Sequence, residues 1–291
     1  MAYYRKNSNS QHQKTADLAK DLQQAVKDLR QTNDYKTLLN LMASLHHYSL
    51  NNLLLIAWQR PSASMVMGYK AWNKYGRHVK AGEHGIRIYA PMRYTSAEKA
   101  DDEKDDADDS TEEKKKKSYV RFRAVSVFDV DQTDGDPLPD LGGSTESFSG
   151  NFPSYQDMIE KIKTLNPDTS VKFIDRKDDA NGWFDSESNE IAVCSDMSET
   201  ETIRTLIHEE AHSRLHRKGG EEADTGRDVK ECEAEGISYV VCRMIGIDTA
   251  SYAVPYITGW MHEATDQEMK SAMSVIQQTA AEFANILQPE E

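Results

Sequence analysis

Two histidines four residues apart, with a glutamate beside the first, carry the most chemistry in this sequence: His208-Glu209-Glu210-Ala211-His212. On a helix, positions i and i+4 share a face, so both imidazoles point at one spot from successive turns. Two imidazoles so placed can take two corners of a zinc tetrahedron, and Glu209 stands where it can accept a proton from water activated there. The pattern implies a zinc hydrolase site, most simply a peptide-cleaving one.

A catalytic zinc takes three protein ligands and keeps one position open. The third ligand is expected from a neighbouring helix. Glu231-Cys232-Glu233-Ala234-Glu235 follows after room for a helix end, a loop and an antiparallel return. Glu231 and Glu235 share a face, whereas Glu233 points elsewhere on an ideal helix. Glu231 is assigned as the third ligand and Glu235 as the carboxylate that takes the free N–H of a ligating histidine. A slip of two or four residues would exchange the three glutamates. Glu210 and His216 fall off the ligand face or a turn beyond it, and are expected at the surface. Cys232 and Cys242 lack CxxC spacing and are not assigned as ligands. Tyr239, Tyr252 and Tyr256 are the available oxyanion donors, and the pattern does not choose among them. The competing account is a solvated, charged helix pair that carries the motif by coincidence.

The elements that must position these residues are legible. Ser198-Glu199-Thr200-Glu201 matches a capping box and starts the histidine helix. Ile203, Leu206, Ile207, Ala211 and Leu215 give it an apolar face at 3.6 spacing, and Lys218-Gly219-Gly220 stops it. A second helix is expected over 228–245. Gly236 within it costs about 1 kcal/mol against alanine and is expected to loosen it. Helices near 250–262 and 266–287 close the chain. Ahead of the motif stand a helix over 155–165, a strand at Val171–Ile174, and a hairpin of Gly182–Phe184 with Glu190–Val193. If Glu190–Val193 is an edge strand, it can hold an extended peptide by strand addition.

The front half has a different character. Residues 1–13 are polar and expected to be a disordered tail. Leu18, Leu22, Val26 and Leu29 mark a helix over 14–31. Asn33 or Asp34 caps a second helix, and Leu50–Trp58 forms a third that Arg60-Pro61 ends. Aromatic and basic residues then interleave: Tyr69, Trp72, Arg77 and Lys80, with Arg87 in the next strand. Aromatic faces stack on unpaired bases and cations follow phosphates, so these five are candidate nucleic-acid contacts. The alternative is that Tyr69 and Trp72 are core. Strands at Ile86–Ala90 and Tyr119–Val130 pair as a hairpin across a charged segment, 95–118, which is expected to be disordered. Residues 134–154, rich in Pro, Gly and Ser, read as a linker.

Composition sets the outer bounds. The 291 residues are 38% apolar, with a net charge of −14. Residues 1–95 carry 14 Lys and Arg against 5 Asp and Glu, a net +9, so the remainder carries −23. The asymmetry points to a polyanion at the front. No apolar run is long enough to span a membrane, and the start has no secretory pattern. Three cysteines make no disulfide framework, so a reducing cytoplasm is expected.

Taken together, the chain resembles the ArdC-type antirestriction proteins of plasmids and conjugative elements. In the front half the resemblance rests on Ser49-Leu50-Asn51-Asn52, Gly68-Tyr69-Lys70-Ala71-Trp72, Gly76-Arg77, Gly82-Glu83-His84-Gly85-Ile86 and Val127-Phe128-Asp129-Val130-Asp131-Gln132-Thr133. In the back half it rests on His208–His212 and on Glu231–Glu235 leading into Tyr239-Val240-Val241-Cys242. It implies an α+β fold of two domains. Residues 1–133 would be a helical single-stranded-DNA-binding domain with a small antiparallel sheet. Residues 155–291 would be a mostly helical, zincin-like (gluzincin-type) metallopeptidase domain with a short sheet. It also implies Zn2+, single-stranded DNA and an unidentified peptide as partners, and protection of incoming DNA from host restriction. The alternative function is a non-catalytic DNA-binding protein with a structural metal.

Overall fold

The structure, a computed structural model, describes residues 2–95, 118–138, 154–176, 179–220 and 222–287. The chain folds as α+β. Its front part opens with α1 (Ala2–Thr32), α2 (Tyr35–Ser44) and α3 (Leu50–Gln59). The helix expected over 14–31 instead begins at Ala2, where a disordered tail was expected. Its Lys, Asn, Gln and Ser residues are tolerable helix formers when they extend an amphipathic helix already nucleated downstream. Gln11 helps to dock it by donating to the Ala124 carbonyl.

Two small sheets follow. β1 (Val66–Gly68), α4 (Tyr69–Lys74), β2 (Arg77–Val79), β3 (Ile86–Thr95), β4 (Ser118–Asp129) and β5 (Thr133–Gly135) run in chain order. Strands β1-β4-β3 make one antiparallel sheet and β2-β5 the other. The expected hairpin is present, with Ile86 opposite Val127 and Ile88 opposite Val125. Those side chains share the core face, because alternate residues of a strand point to one side. The charged segment that joins the hairpin lies outside the described residues beyond Thr95 and before Ser118. So does 139–153 of the expected linker, although its first residues, Asp134 and Gly135, pair in β5.

The back part comprises α5 (Tyr155–Ile162), β6 (Ser170–Ile174), β7 (Gly182–Asp185), β8 (Glu190–Cys194), α6 (Glu199–Leu215), α7 (Arg227–Met244), α8 (Ala250–Glu263) and α9 (Asp266–Leu287). The sheet order is β6-β8-β7. β8 is therefore central, parallel to β6 and antiparallel to β7. This corrects the expectation of an edge at Glu190–Val193. Buried Ile191, Ala192, Val193 and Cys194 make β8 an apolar run, as suits a strand covered on both sides. The free edge near the histidines belongs to β7.

One apolar core runs through both parts. Leu38, Leu39 and Met42 of α2 join Ile237, Val240 and Val241 of α7 and Met269, Met273 and Ile276 of α9. Polar bonds cross the same seam. Tyr239 donates to Asn40 Oδ1 at 2.8 Å, and Gln277 donates to the carbonyls of His46 and Tyr48. Among the described residues no helix is long and apolar enough to cross a membrane.

Candidate metal centre

The capping box forms as the sequence implies: Ser198 accepts from the Glu201 N–H, and Glu201 accepts from the Ser198 N–H. It sets the start of α6, whose apolar face lies against the sheet and α7. On successive turns, His208 and His212 face Glu231 of α7. His208 Nε2 and His212 Nε2 stand 3.1 Å apart, and Glu231 Oε2 lies 3.6 and 3.7 Å from them. These three donors all fall within 4.8 Å of one another. Tetrahedral ligands at metal bonds of about 2.0–2.2 Å stand roughly 3.3–3.6 Å apart. The two imidazoles and one carboxylate therefore fit a four-coordinate divalent ion with one corner left for solvent or substrate.

That corner faces a cleft of about 640 Å³. Gly182, Trp183 and Phe184 of β7 line it, as do Arg204, Arg227 and Lys230. Gly182 has a steric reason. A Cβ there would meet the Ala192 carbonyl and the Thr205 methyl at 2.8 Å each, so only glycine lets β7 lie this close to α6. Glu209 lines the same cleft and is almost buried. Burial raises its pKa above the ordinary carboxylate value, against the pull of His208 and His212 and of the Phe184 backbone.

The triad is strongly coupled. The two imidazoles beside it hold Glu231 far below the usual carboxylate range. Burial works to lower the His208 pKa, but Glu231 and Glu235 outweigh it and lift that imidazole to about 9. Glu235 stands behind His208, with Oε2 3.3 Å from Nδ1. The Arg204 Nη2 group lies 2.8 Å from both carboxylate oxygens of Glu235 and steadies it. Burial would raise Glu235, yet His208 and Arg204 together bring it below its ordinary value.

Two residues expected at the surface are inside. His216 is 7% exposed, and its Nδ1 lies 2.9 Å from His212 Nδ1. Its Nε2 lies 3.1 Å from Glu233 Oε2. Burial lowers the His216 pKa, so its imidazole is neutral, and burial pushes Glu233 above the ordinary carboxylate value. The available signal was His216 repeating the four-residue step from His212. Glu210 is fully buried at the α5–α6 junction, where Asn166 donates to its side chain at 2.6 Å. Desolvation raises it to about 8. Both are covered by neighbouring groups instead of water: Asn166 lies over Glu210, and Glu233 of α7 over His216. Gly236 also has a packing role that its helix propensity does not reveal. A Cβ there would come within 2.4 Å of Ile276 Cδ1, so the glycine admits α9 against α7.

The remaining candidates divide. All three cysteines are free and buried, and neither Cys232 nor Cys242 joins the triad. Tyr239 points away into the α2 contact. Tyr252 is exposed, with the Arg204 guanidinium 5.1 Å from its ring centre, and Tyr256 is also exposed.

The five nucleic-acid candidates do not form one patch of free side chains. Trp72 is fully buried and donates to the Phe128 carbonyl, so its faces are core and cannot stack on a base. Arg77 is committed to Thr133 and the Asp136 carbonyl, which ties β2 to β5. Lys80 reaches the Asp131 carbonyl and Asp134, and Arg87 pairs with Asp21. Tyr69 is 52% exposed. Val120 and Phe122, which strand alternation alone does not mark as a site, are exposed on one face of the hairpin opposite Arg93 and Pro91.

Residues 8–128 match the family described as the N-terminal domain of anti-restriction factor ArdC. An uncharacterized protein of Bacillus anthracis is 27% identical over 282 residues, which cover 87% of this chain and 48% of that protein. The chain thus spans about half the length of that relative. The Mn(II)-bound crystal structure of the antirestriction ArdC protein from the R388 plasmid aligns with a TM-score of 0.55 at 15% identity, covering 91% of this chain and 97% of that one. The metal-free structure of the same protein aligns at 0.49 and 17% identity, over 82% and 85%.

Proposed function

We propose, from the ArdC N-terminal-domain family of residues 8–128, that this chain is a zinc metallopeptidase-like antirestriction protein of the ArdC type. It would bind the single-stranded DNA of an incoming mobile element and protect it from host restriction in the cytoplasm. The observation that carries the peptidase reading is the His208–His212–Glu231 triad opening on a cleft beside the carboxylate of Glu209.

His208, His212 and Glu231 would hold the ion, which when bound supplies a Lewis acid that lowers the pKa of water and polarises a carbonyl. Two nitrogens and one oxygen suit zinc; the ArdC protein of the R388 plasmid has a structure with Mn(II) bound. Glu209 accepts a proton from the attacking water and returns it to the leaving amine. Burial raises its pKa above the ordinary carboxylate value, which strengthens it as a base. The Cys194 N–H bonds to the Asn181 carbonyl, so by strand alternation the peptide groups of Gly182 and Phe184 face away from β8. An extended substrate lying along β7 would meet that edge.

The test is digestion of candidate host proteins by the Zn2+- or Mn2+-loaded chain. Glu209→Gln should lower cleavage by about 10²–10⁴-fold, the range for losing a general base. Equal cleavage by both forms would sink the peptidase reading.

A second reading, a DNA-binding protein with a structural metal, is favoured by the exposed apolar and basic face of the hairpin. Single-strand binding by the full chain should fall steeply with salt, and Phe122→Ala with Arg93→Glu should weaken it. Unchanged affinity in that double variant would remove the hairpin from the interface. A structural metal further requires that His208→Ala unfold the back part.

A further inference from the structure

We propose that His216 and Glu233 form a buried relay that fixes His212 as an Nε2 ligand and so sets how tightly the triad holds its ion. The relay rests on the metal reading of the triad but lies outside the motif that suggested it.

His212 has two ring nitrogens with different roles. Nε2 faces His208 Nε2 and Glu231 Oε2, at 3.1 and 3.7 Å. Nδ1 faces His216 Nδ1 at 2.9 Å. Two imidazole nitrogens at that distance share one proton. A lone pair on His212 Nε2 is available to a metal only when the proton of the neutral ring sits on Nδ1. His212 must then donate to His216 Nδ1. His216 consequently carries its own proton on Nε2, 3.1 Å from Glu233 Oε2, which accepts it. The opposite arrangement, with His216 donating, places a proton on His212 Nε2 and blocks the ion. The Glu233 carboxylate can only accept, and so selects the competent direction.

Solvent cannot replace the relay. The His216 and Glu233 side chains are each 3% exposed. The two ligand histidines are therefore backed differently. His208 has a carboxylate directly behind it, anchored by Arg204. His212 has an imidazole behind it, and an imidazole needs its own tautomer fixed. Three carboxylates of α7 divide this work. Glu231 faces the ion, Glu235 backs His208, and Glu233 serves His216. The i+2 position of Glu233 places it off the Glu231–Glu235 face, where His216, one turn beyond His212, reaches it.

His216 and Glu233 are positioning residues, and the tests read the metal instead of turnover. In the Zn2+-loaded full chain, histidine 1H–15N spectra should show His216 protonated on Nε2 and bare on Nδ1. Protonation on Nδ1 would overturn the relay without any variant. In chelator-competition titrations, His216→Phe, which has no acceptor, should weaken Zn2+ binding about 10–100-fold, the usual cost of losing such a partner. His216→Gln can still accept from His212 and should stay within about threefold of wild type. Thermal melts of the metal-free proteins separate packing loss from tautomer loss. Equal weakening in both variants, or none in His216→Phe, would overturn the proposal. Should the wild-type chain bind no Zn2+ or Mn2+ at all, the triad reading fails and the relay falls with it.

Discussion

His208 is lifted to about 9 by Glu231 and Glu235, which has a measurable consequence. In the metal-free chain it carries a proton at pH 7.5, and a metal ligand must be neutral. Ion binding should therefore release about one proton, and affinity should rise roughly tenfold per pH unit up to about pH 9. The same raised pKa lies above the value of about 6.5 for an unfolded histidine. In the metal-free chain its stabilising contribution is thus complete below about pH 6.5 and lost as pH rises through 9. Calorimetry in buffers of different ionisation enthalpy checks the release, and a pH-independent affinity between 6.5 and 8.5 would contradict it. At this scale the sequence was most legible where chemistry repeats at helical spacing. It was least legible for Glu210 and His216, because periodicity shows which face a residue occupies but not what covers that face.

At the level of elements, the contact of α7 with α9 makes a counterintuitive case. Gly236 lies inside a helix, where alanine would normally add about 1 kcal/mol. Here the added methyl would collide with Ile276, which is fully buried. Gly236→Ala should destabilise the chain by about 1–3 kcal/mol, the usual cost of overpacking. Ile276→Val in the same chain should recover part of the loss. A thermal melt of the three proteins decides it, and a more stable single variant would show that α9 shifts freely. The sheet teaches a related lesson. Hairpin pairing of β7 with β8 is local and readable, but the parallel pairing of β6 with β8 bridges an intervening strand. That second pairing is what moved the open edge from β8 to β7.

Across the whole molecule, the front helices and the metal helix share one apolar core, and Asn40 bonds to Tyr239 one turn past Glu235. Binding at the triad should therefore stabilise the front part as well. The full chain should melt in a single transition, moved upward by saturating Zn2+ as mass action requires. Tryptophans sit in both parts, Trp58 and Trp72 in front and Trp183 and Trp260 behind, so fluorescence of single-tryptophan variants reports on each. Two transitions, with the ion moving only the rear one, would show that the halves behave as separate bodies.

By itself the sequence determined the helix that carries His208, Glu209 and His212, its capping, the hairpins, the α+β class and the basic front half. These depend on interactions among near neighbours, whose geometry a helix or strand period dictates. Tertiary structure alone decided that Trp72 is core, that β7 is the open edge, that Gly236 is a close approach, and that His216 and Glu233 stand behind His212. Each of these depends on which distant surface meets a given face. The period that points His208 and His212 to one side says nothing of that.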